Sequence, residues 1–199
     1  MPRKGLSTER VVEAAALMAD AEGLENLILH KLAKELGVRP SSLFNHIAGL
    51  PDLRRQLQIR GLREMAAKVG RACVGRAGDD AVIAAANAAR EYAHEHPGVY
   101  LTTQPAVQSE NNPELEEAAS QFVGIFFDIM RYYGFEGIER VHAVRGLFAT
   151  IHGFIMLEQA GHFGMPIGID ESYDWIIEHY VAALNATRRD NAGQNQQAK

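Results

Sequence analysis

Residues 27 to 53, LILHKLAKELGVRPSSLFNHIAGLPDL, constrain the fold more than any other part of the chain, because their spacing describes two short helices joined by a tight turn. Leu29, Leu32, Ala33 and Leu36 fall at i, i+3, i+4 and i+7, the single apolar face of an amphipathic helix. Gly37 follows with the backbone freedom to end that helix. Pro40, whose fixed φ and missing N–H suit a first helical turn, opens the next. In the second helix Leu43 and Ile47 point inward at i and i+4, which leaves Arg39, Ser41, Ser42, Asn45 and His46 outside. Such side chains can hydrogen-bond to phosphates or to base edges in a major groove wide enough to admit a helix. The pattern is a helix-turn-helix, and it predicts a DNA reader.

A helical hairpin in any bundle core can repeat this spacing, so its place in the chain matters. Ahead of it come Ser7 as an N-cap, Glu9 in a first turn, an apolar side made of Val11, Val12, Ala15, Met18 and Ala19, and Gly23 as a stop. Three N-terminal helices followed by a longer helical remainder resemble the tetracycline-repressor (TetR) family of transcriptional regulators. The resemblance is carried by Lys31-Leu32-Ala33, Leu36-Gly37-Val38, Leu43-Phe44-Asn45-His46 and Asp52-Leu53, between about Ser7 and Leu57; the rest matches in helix lengths and order. It implies an all-α fold of about nine helices. An N-terminal helix-turn-helix DNA-binding domain would occupy residues 1–50 and a helical ligand-binding and dimerisation domain residues 51–188. The polar stretch 189–199 reads as a disordered tail. The implied DNA-binding side chains are Lys4, His30, Lys31, Arg39, Ser41, Ser42, Phe44, Asn45 and His46.

Three positions depart from the family pattern, and each lacks a polar group that usually faces DNA. Leu29 stands where Thr is common, Phe44 where Tyr is usual, and Leu50 where Lys usually begins the fourth helix. Each lost phosphate contact lowers the salt slope of binding by about one. Arg3 and Lys4 as an arm, His30 and Lys31 at the second helix, and Arg39 can compensate. The departures also keep a second reading open: a helical small-molecule or protein-binding dimer whose helix-turn-helix has lost DNA binding.

Composition bounds these readings. A chain of 199 residues with 47% apolar and 23% charged residues is ordinary globular material. No apolar run approaches the roughly 20 residues a bilayer helix needs, and MPRKGLSTER lacks an apolar signal core, so a cytoplasmic protein with no membrane partner is expected. Cys73 is the single cysteine, without a second thiol for a disulfide or a metal; it reads as a small residue filling a helix interface. The net charge of −5 is unevenly divided: residues 1–65 hold ten Lys/Arg and eight Asp/Glu, so the remainder carries −7. A mildly basic head on an acidic body suits nucleic-acid binding. Gly-rich phosphate loops, nucleophile elbows and His-Glu-x-x-His motifs are absent, and Glu116-Glu117, being adjacent, diverge on a helix. No enzyme, cofactor or metal site is expected. His94 and His96 sit two apart, on different faces of a helix, and no i, i+4 His pair exists.

Beyond Leu50 a long helix runs towards Gly70, and Gly70, Gly75 and Gly78 punctuate the chain before Asp79 caps an Ala-rich helix that ends at Pro97-Gly98. Asn112 and Pro113 read as N-cap and N1 of another helix, whose stripe is Leu115, Ala119, Phe122, Phe126, Ile129 and Tyr133. Two further helices, from about Ile138 to Ala160 and from Tyr173 to Arg188, are apolar on two faces and need a second partner beyond their own core. The resemblance supplies one, a homodimer built by the last two helices, for which Val144, Phe148, Ile151, Ile155, Trp175, Ile176, Tyr180 and Leu184 are the candidate contacts. A dimer also implies a near-palindromic double-stranded operator. Aromatic bodies mixed with polar tips at Tyr100, Gln104, Phe122, Phe126, Met130, His152 and Met156 are the candidate lining for a small hydrophobic or aromatic effector that releases a repressor from its operator.

Overall fold

The computed structural model describes residues 5–104 and 112–197, with side chains described as far as Arg188. Lys4, and Arg3 with it, lie outside the described residues. Among the described residues there are nine α-helices, a 3-10 turn at Leu24–Asn26 and no strand. The helices are α1 (Thr8–Glu22), α2 (Leu29–Glu35), α3 (Pro40–Leu43), α4 (Leu50–Cys73), α5 (Gly78–Glu95), α6 (Pro97–Thr102), α7 (Pro113–Arg131), α8 (Gly137–Gln159) and α9 (Ile169–Gln197). The described residues fall into two compact units, each drawn from two stretches of sequence. The first takes the chain up to Met65 together with Tyr92–Gln121, the second Ala66–Glu91 together with the chain from Phe122 onward.

In the first unit Ser7 caps α1, its Oγ accepting the Arg10 N–H at 3.4 Å. The helix buries Val11, Val12, Ala15, Ala16, Met18 and Ala19, one continuous apolar stripe. The short helix α6 lies against that stripe. Asp20 accepts the Val99 N–H at 2.9 Å and meets His96 Nδ1 at 3.0 Å, while Val99 and Tyr100 are buried beside it. Gly98 is the residue that allows the approach: a Cβ built there would lie 2.1 Å from the Ala19 carbonyl oxygen. The Tyr92 hydroxyl donates to Glu64 at 2.9 Å, and burial, followed by that carboxylate, pushes the phenol far above its ordinary value.

The second unit is built round α5, whose Ala81, Val82, Ala84, Ala85, Ala86, Ala88 and Ala89 are all buried. Small side chains let neighbouring elements come close, and the Tyr173 hydroxyl reaches the Ala86 carbonyl at 2.7 Å. Arg90 Nε donates to Glu158 at 2.9 Å, and its guanidinium lies 4.6 Å from the Tyr173 ring centroid. Phe122, Phe126, Ile129 and Met130 carry the buried stripe of α7, and Tyr133 is buried just past its end. Each such side chain contributes roughly 1.5–3 kcal/mol of burial.

Two ends differ from the spacing-based expectation. Asp79 lies inside the first turn of α5 rather than capping it; its carboxylate instead accepts from the Tyr133 hydroxyl at 2.7 Å and the Asn185 amide at 3.0 Å. The last helix begins at Ile169 and runs to Gln197, past Arg188 where a disordered tail is expected to start. Apolar periodicity stops at Leu184, yet no proline follows to end the helix.

Candidate nucleic-acid interface

The turn between α2 and α3 is closed by backbone bonds, Gly37 N–H to Lys34 O at 3.1 Å and Val38 N–H to Ala33 O at 3.0 Å. Gly37 sits at φ 66°, the left-handed region that other L-residues adopt only at a cost. Arg39 then takes extended backbone, as the residue before a proline does. Leu32 and Leu43 are fully buried and Ile47 almost so. Because these residues share one small core, the opposite face of α3 is forced into solvent.

That face carries Arg39, Pro40, Ser41, Phe44 and Asn45, all exposed, with Ser42 and His46 half-buried at its border. Regular helix stops at Leu43, sooner than the spacing predicts, because the Asn45 and His46 N–H groups bond three residues back, to Ser42 and Leu43, and tighten the last turn. The Ile47 N–H still reaches Leu43 O at 3.0 Å, so the side chains keep helical order through the turn. Its exit is pinned twice: the Thr8 hydroxyl reaches the His46 carbonyl at 3.4 Å, and the Ala48 N–H donates to Asp52 at 2.8 Å. Burial pushes the Asp52 carboxyl up, but the Ala48 N–H, the Gln56 amide and Arg55 outweigh it and hold the group below the usual carboxylate range.

His30 and Lys31 are exposed at the start of α2. Lys31 Nζ meets Glu22 at 3.0 Å with both side chains about half exposed. Such a pair contributes little and exchanges readily for a phosphate. Pro40 and the anchoring role of Asp52 are additions to the expected site residues; the i, i+4 spacing from Pro40 to Phe44 was the signal that places Pro40 on the outer face.

The expected effector residues divide between the units. Tyr100 and Gln104 belong to the first, where Tyr100 is buried and the Gln104 amide donates to the Tyr100 carbonyl at 3.1 Å. Phe122, Phe126 and Met130 are buried in the second, with the Phe148 ring 5.6 Å from Phe122 and 4.6 Å from Phe126. His152 and Met156 are half-buried on α8, and burial pulls the His152 imidazole below its ordinary value, favouring the neutral ring. The same unit holds an open cavity of about 380 Å³ lined by Gly70, Cys73, Val74, Arg76, Ala77, Gly78, Ala81, Ile125, Asp128, Ile129 and Tyr132, a set that includes none of the expected effector residues. At its edge the Cys73 thiol lies 3.7 Å from the Ala81 carbonyl, and burial pushes the thiol up.

Of the expected dimer contacts, Val144, Ile151, Ile155 and Leu184 are covered by their own chain, Ile155 completely, and belong to the subunit core. Phe148, Ile176 and Tyr180 are half-buried, the Tyr180 hydroxyl donating to the Ala143 carbonyl. Trp175 is 59% exposed, its ring stacked on His179 at 3.7 Å. Among the described residues no three His, Cys, Asp or Glu side chains are grouped to hold a metal ion, and no helix is long and apolar enough to cross a membrane.

The family model described as the tetracyclin repressor-like C-terminal domain matches residues 82–180. The chain is 33% identical over 184 residues to the HTH-type transcriptional regulator YobS of Bacillus subtilis, covering 92% of this chain and 95% of that protein. It is 36% identical over 156 residues to the HTH-type transcriptional regulator Rv0681 of Mycobacterium tuberculosis, covering 78% and 72%. Among solved structures, a TetR variant from Acinetobacter baumannii in complex with minocycline shares the fold at a TM-score of 0.69 and 17% identity, covering 92% of this chain and 99% of that one. With a helix-turn-helix whose outer face is open, a matched C-terminal domain, and 33% identity over 92% of its own length to the Bacillus relative, the chain belongs to the TetR family of transcriptional regulators.

Proposed function

We propose that the protein is a repressor that binds a palindromic operator as a homodimer and leaves it when a small hydrophobic or aromatic effector binds. The observation that carries this reading is the outer face of α3, where Arg39, Ser41 and Asn45 stand in solvent directly opposite the buried Leu43 and Ile47. Hydrogen-bonding groups held on a rigid turn are what reading a base edge needs. Arg39, Asn45 and His46 reach bases or flanking backbone. Ser41, Ser42, His30 and Lys31 hold phosphates, and Lys4 adds a contact from the N-terminal arm.

DNA reading belongs to residues 1–50, and effector sensing and pairing to residues 51–188. The effector meets the aromatic cluster of Phe122 and Phe126 together with His152 and Met156, which mix apolar bodies with one neutral imidazole. The minocycline complex of the Acinetobacter protein supports a small-molecule effector, and an effector releases DNA only through its differential affinity for two states. Trp175, with Phe148, Ile176 and Tyr180 at its margin, forms the pairing surface in place of the four buried residues. The protein acts in the cytoplasm, by binding rather than by catalysis.

The test is selection of the purified protein against a random duplex pool at low and moderate salt, followed by sequencing. Enrichment of an inverted repeat whose half-sites lie about 34–36 Å apart, or a multiple of it, is the expected result. No enrichment at either salt would replace this reading by a DNA-silent binding dimer.

A further inference from the structure

We propose that the open cavity between α4, α5 and α7 is a binding site for a small aromatic carboxylate, separate from the aromatic cluster proposed above for the effector. The cavity measures about 380 Å³, at the small end of the roughly 300–1,000 Å³ of ligand pockets, which is room for one or two rings. None of Phe122, Phe126, His152 and Met156 lines it, so the inference does not depend on where the effector binds.

Its shape follows from small residues at the end of α4 and the start of α5. Gly70, Gly78 and Ala81 leave open the space that larger side chains would fill, and Ile125 and Ile129 of α7 supply an apolar wall. Tyr132 is a second wall, and it is held in place. A Cβ at Gly78 would lie 2.4 Å from its ring, so the ring rests on bare backbone, while the Arg188 guanidinium lies 4.6 Å from its centroid. Even so, the Tyr132 side chain is 48% exposed and Val74 78% exposed. Apolar surface left in water at a preformed cavity is what a ring-bearing ligand covers.

The polar groups set the charge of that ligand. Arg76 donates from Nη1 to the Ala72 carbonyl at 3.0 Å, and no carboxylate among the described residues pairs with it, so the rest of its guanidinium fork is open. Its charge is close enough to the Cys73 thiol, on the cavity wall, to oppose the effect of burial there. The Tyr132 hydroxyl likewise has no hydrogen-bond partner among the described residues. Asp128, the one acid in the lining, already meets Arg131 at 3.4 Å. A carboxylate can accept from a guanidinium fork and a phenol together, whereas an ammonium group would face Arg76 with like charge.

The test titrates the full, isotope-labelled chain with naphthoate and with the neutral naphthalenemethanol, following backbone amides by NMR. Naphthoate should shift Gly70, Gly78, Ala81 and Tyr132, and the alcohol should bind the same place about tenfold more weakly, the loss of one charge-assisted contact. Arg76→Gln should bring naphthoate down to the affinity of the alcohol, and Arg76→Lys should keep part of the difference, with an unchanged Tm showing that both variants remain folded. No shift at millimolar naphthoate overturns the site, as do shifts confined to the surroundings of Phe126 and His152, which place the probe in the effector cluster. Equal affinity for the two probes in the parent protein, or a preference that survives in Arg76→Gln, overturns the choice of a carboxylate.

Discussion

Gly98→Ala tests how tightly α6 is held against α1. In an unconstrained helix the change removes backbone freedom from the unfolded chain and stabilises by up to ~1 kcal/mol. Here the added methyl would lie 2.1 Å from the Ala19 carbonyl oxygen and 2.2 Å from its carbon, where ordinary contact starts at 3.4 Å, and the obstacle is backbone that cannot rotate away. The two helices must part by roughly an ångström, an overpacking cost of about 1–3 kcal/mol. Separation also loosens the two contacts that Asp20 makes to Val99 and His96, and a hydrogen bond to a charged group contributes about 1.5–3 kcal/mol. The expected net effect is a destabilisation of about 3 kcal/mol, or roughly 10 °C in Tm for a chain of this size. Urea and thermal unfolding followed by circular dichroism give both numbers. Gly124→Ala on α7, where nothing lies within 4 Å of the built Cβ, serves as the control and should raise stability slightly. If Gly98→Ala is neutral or stabilising, the close approach of α6 to α1 is refuted.

Asp52→Asn should cost about 1 kcal/mol at neutral pH, the value of a lost helix cap. Because the folded carboxyl lies below its unfolded value, its contribution is complete above the ordinary aspartate range and fades as pH falls through the folded value, so the parent and variant stability curves should converge below about pH 4. Arg90→Met leaves the partly buried Glu158 without this cation and should destabilise by about 2–3 kcal/mol, whereas Arg90→Met with Glu158→Gln should recover much of that loss; equal losses in the two denaturation curves would contradict the pairing. Trp175→Glu places a charge on the proposed pairing surface, and analytical ultracentrifugation should show the dimer weakened at least tenfold with the fold intact; an unchanged dimer would move the interface elsewhere. His46→Ala with Asn45→Ala should reduce operator affinity in a shift assay while the dimer persists, and retained sequence-specific affinity would remove those two residues from the reading face.

Local features of the head were legible from spacing alone. Leu32, Ala33, Leu43 and Ile47 are inside where periodicity puts them, and Gly37 makes the turn. The 3.6-residue stripe marked Phe122, Phe126 and Ile129 in α7 and Tyr133 just past its end, all buried. What periodicity could not separate was cover supplied by the chain itself from cover supplied by a partner. Helix α8 is apolar on two faces, and Val144, Ile151 and Ile155 find their neighbours within the subunit. Polar contacts between distant segments left no trace either: Asp20 and His96 are 76 residues apart and Arg90 and Glu158 are 68, and each residue read singly is an ordinary surface side chain. Helix ends were displaced where hydrogen bonding outside the local pattern took over, as at Asp79, whose carboxylate serves Tyr133 and Asn185 instead of a cap.

The seating of α6 on α1 gives the helix-turn-helix unit a timetable. Its first 65 residues leave the ribosome with the face round Ala19 and Asp20 still uncovered, and the segment that covers it, Tyr92 onward, follows only after residues 66–91 have been made. At ~5–20 residues per second that gap is about 1–5 s, during which a nascent head has its turn but lacks part of its core. The reading face proposed above therefore gains its full support only after α5 has been synthesised, so the cell receives it together with a portion of the C-terminal body.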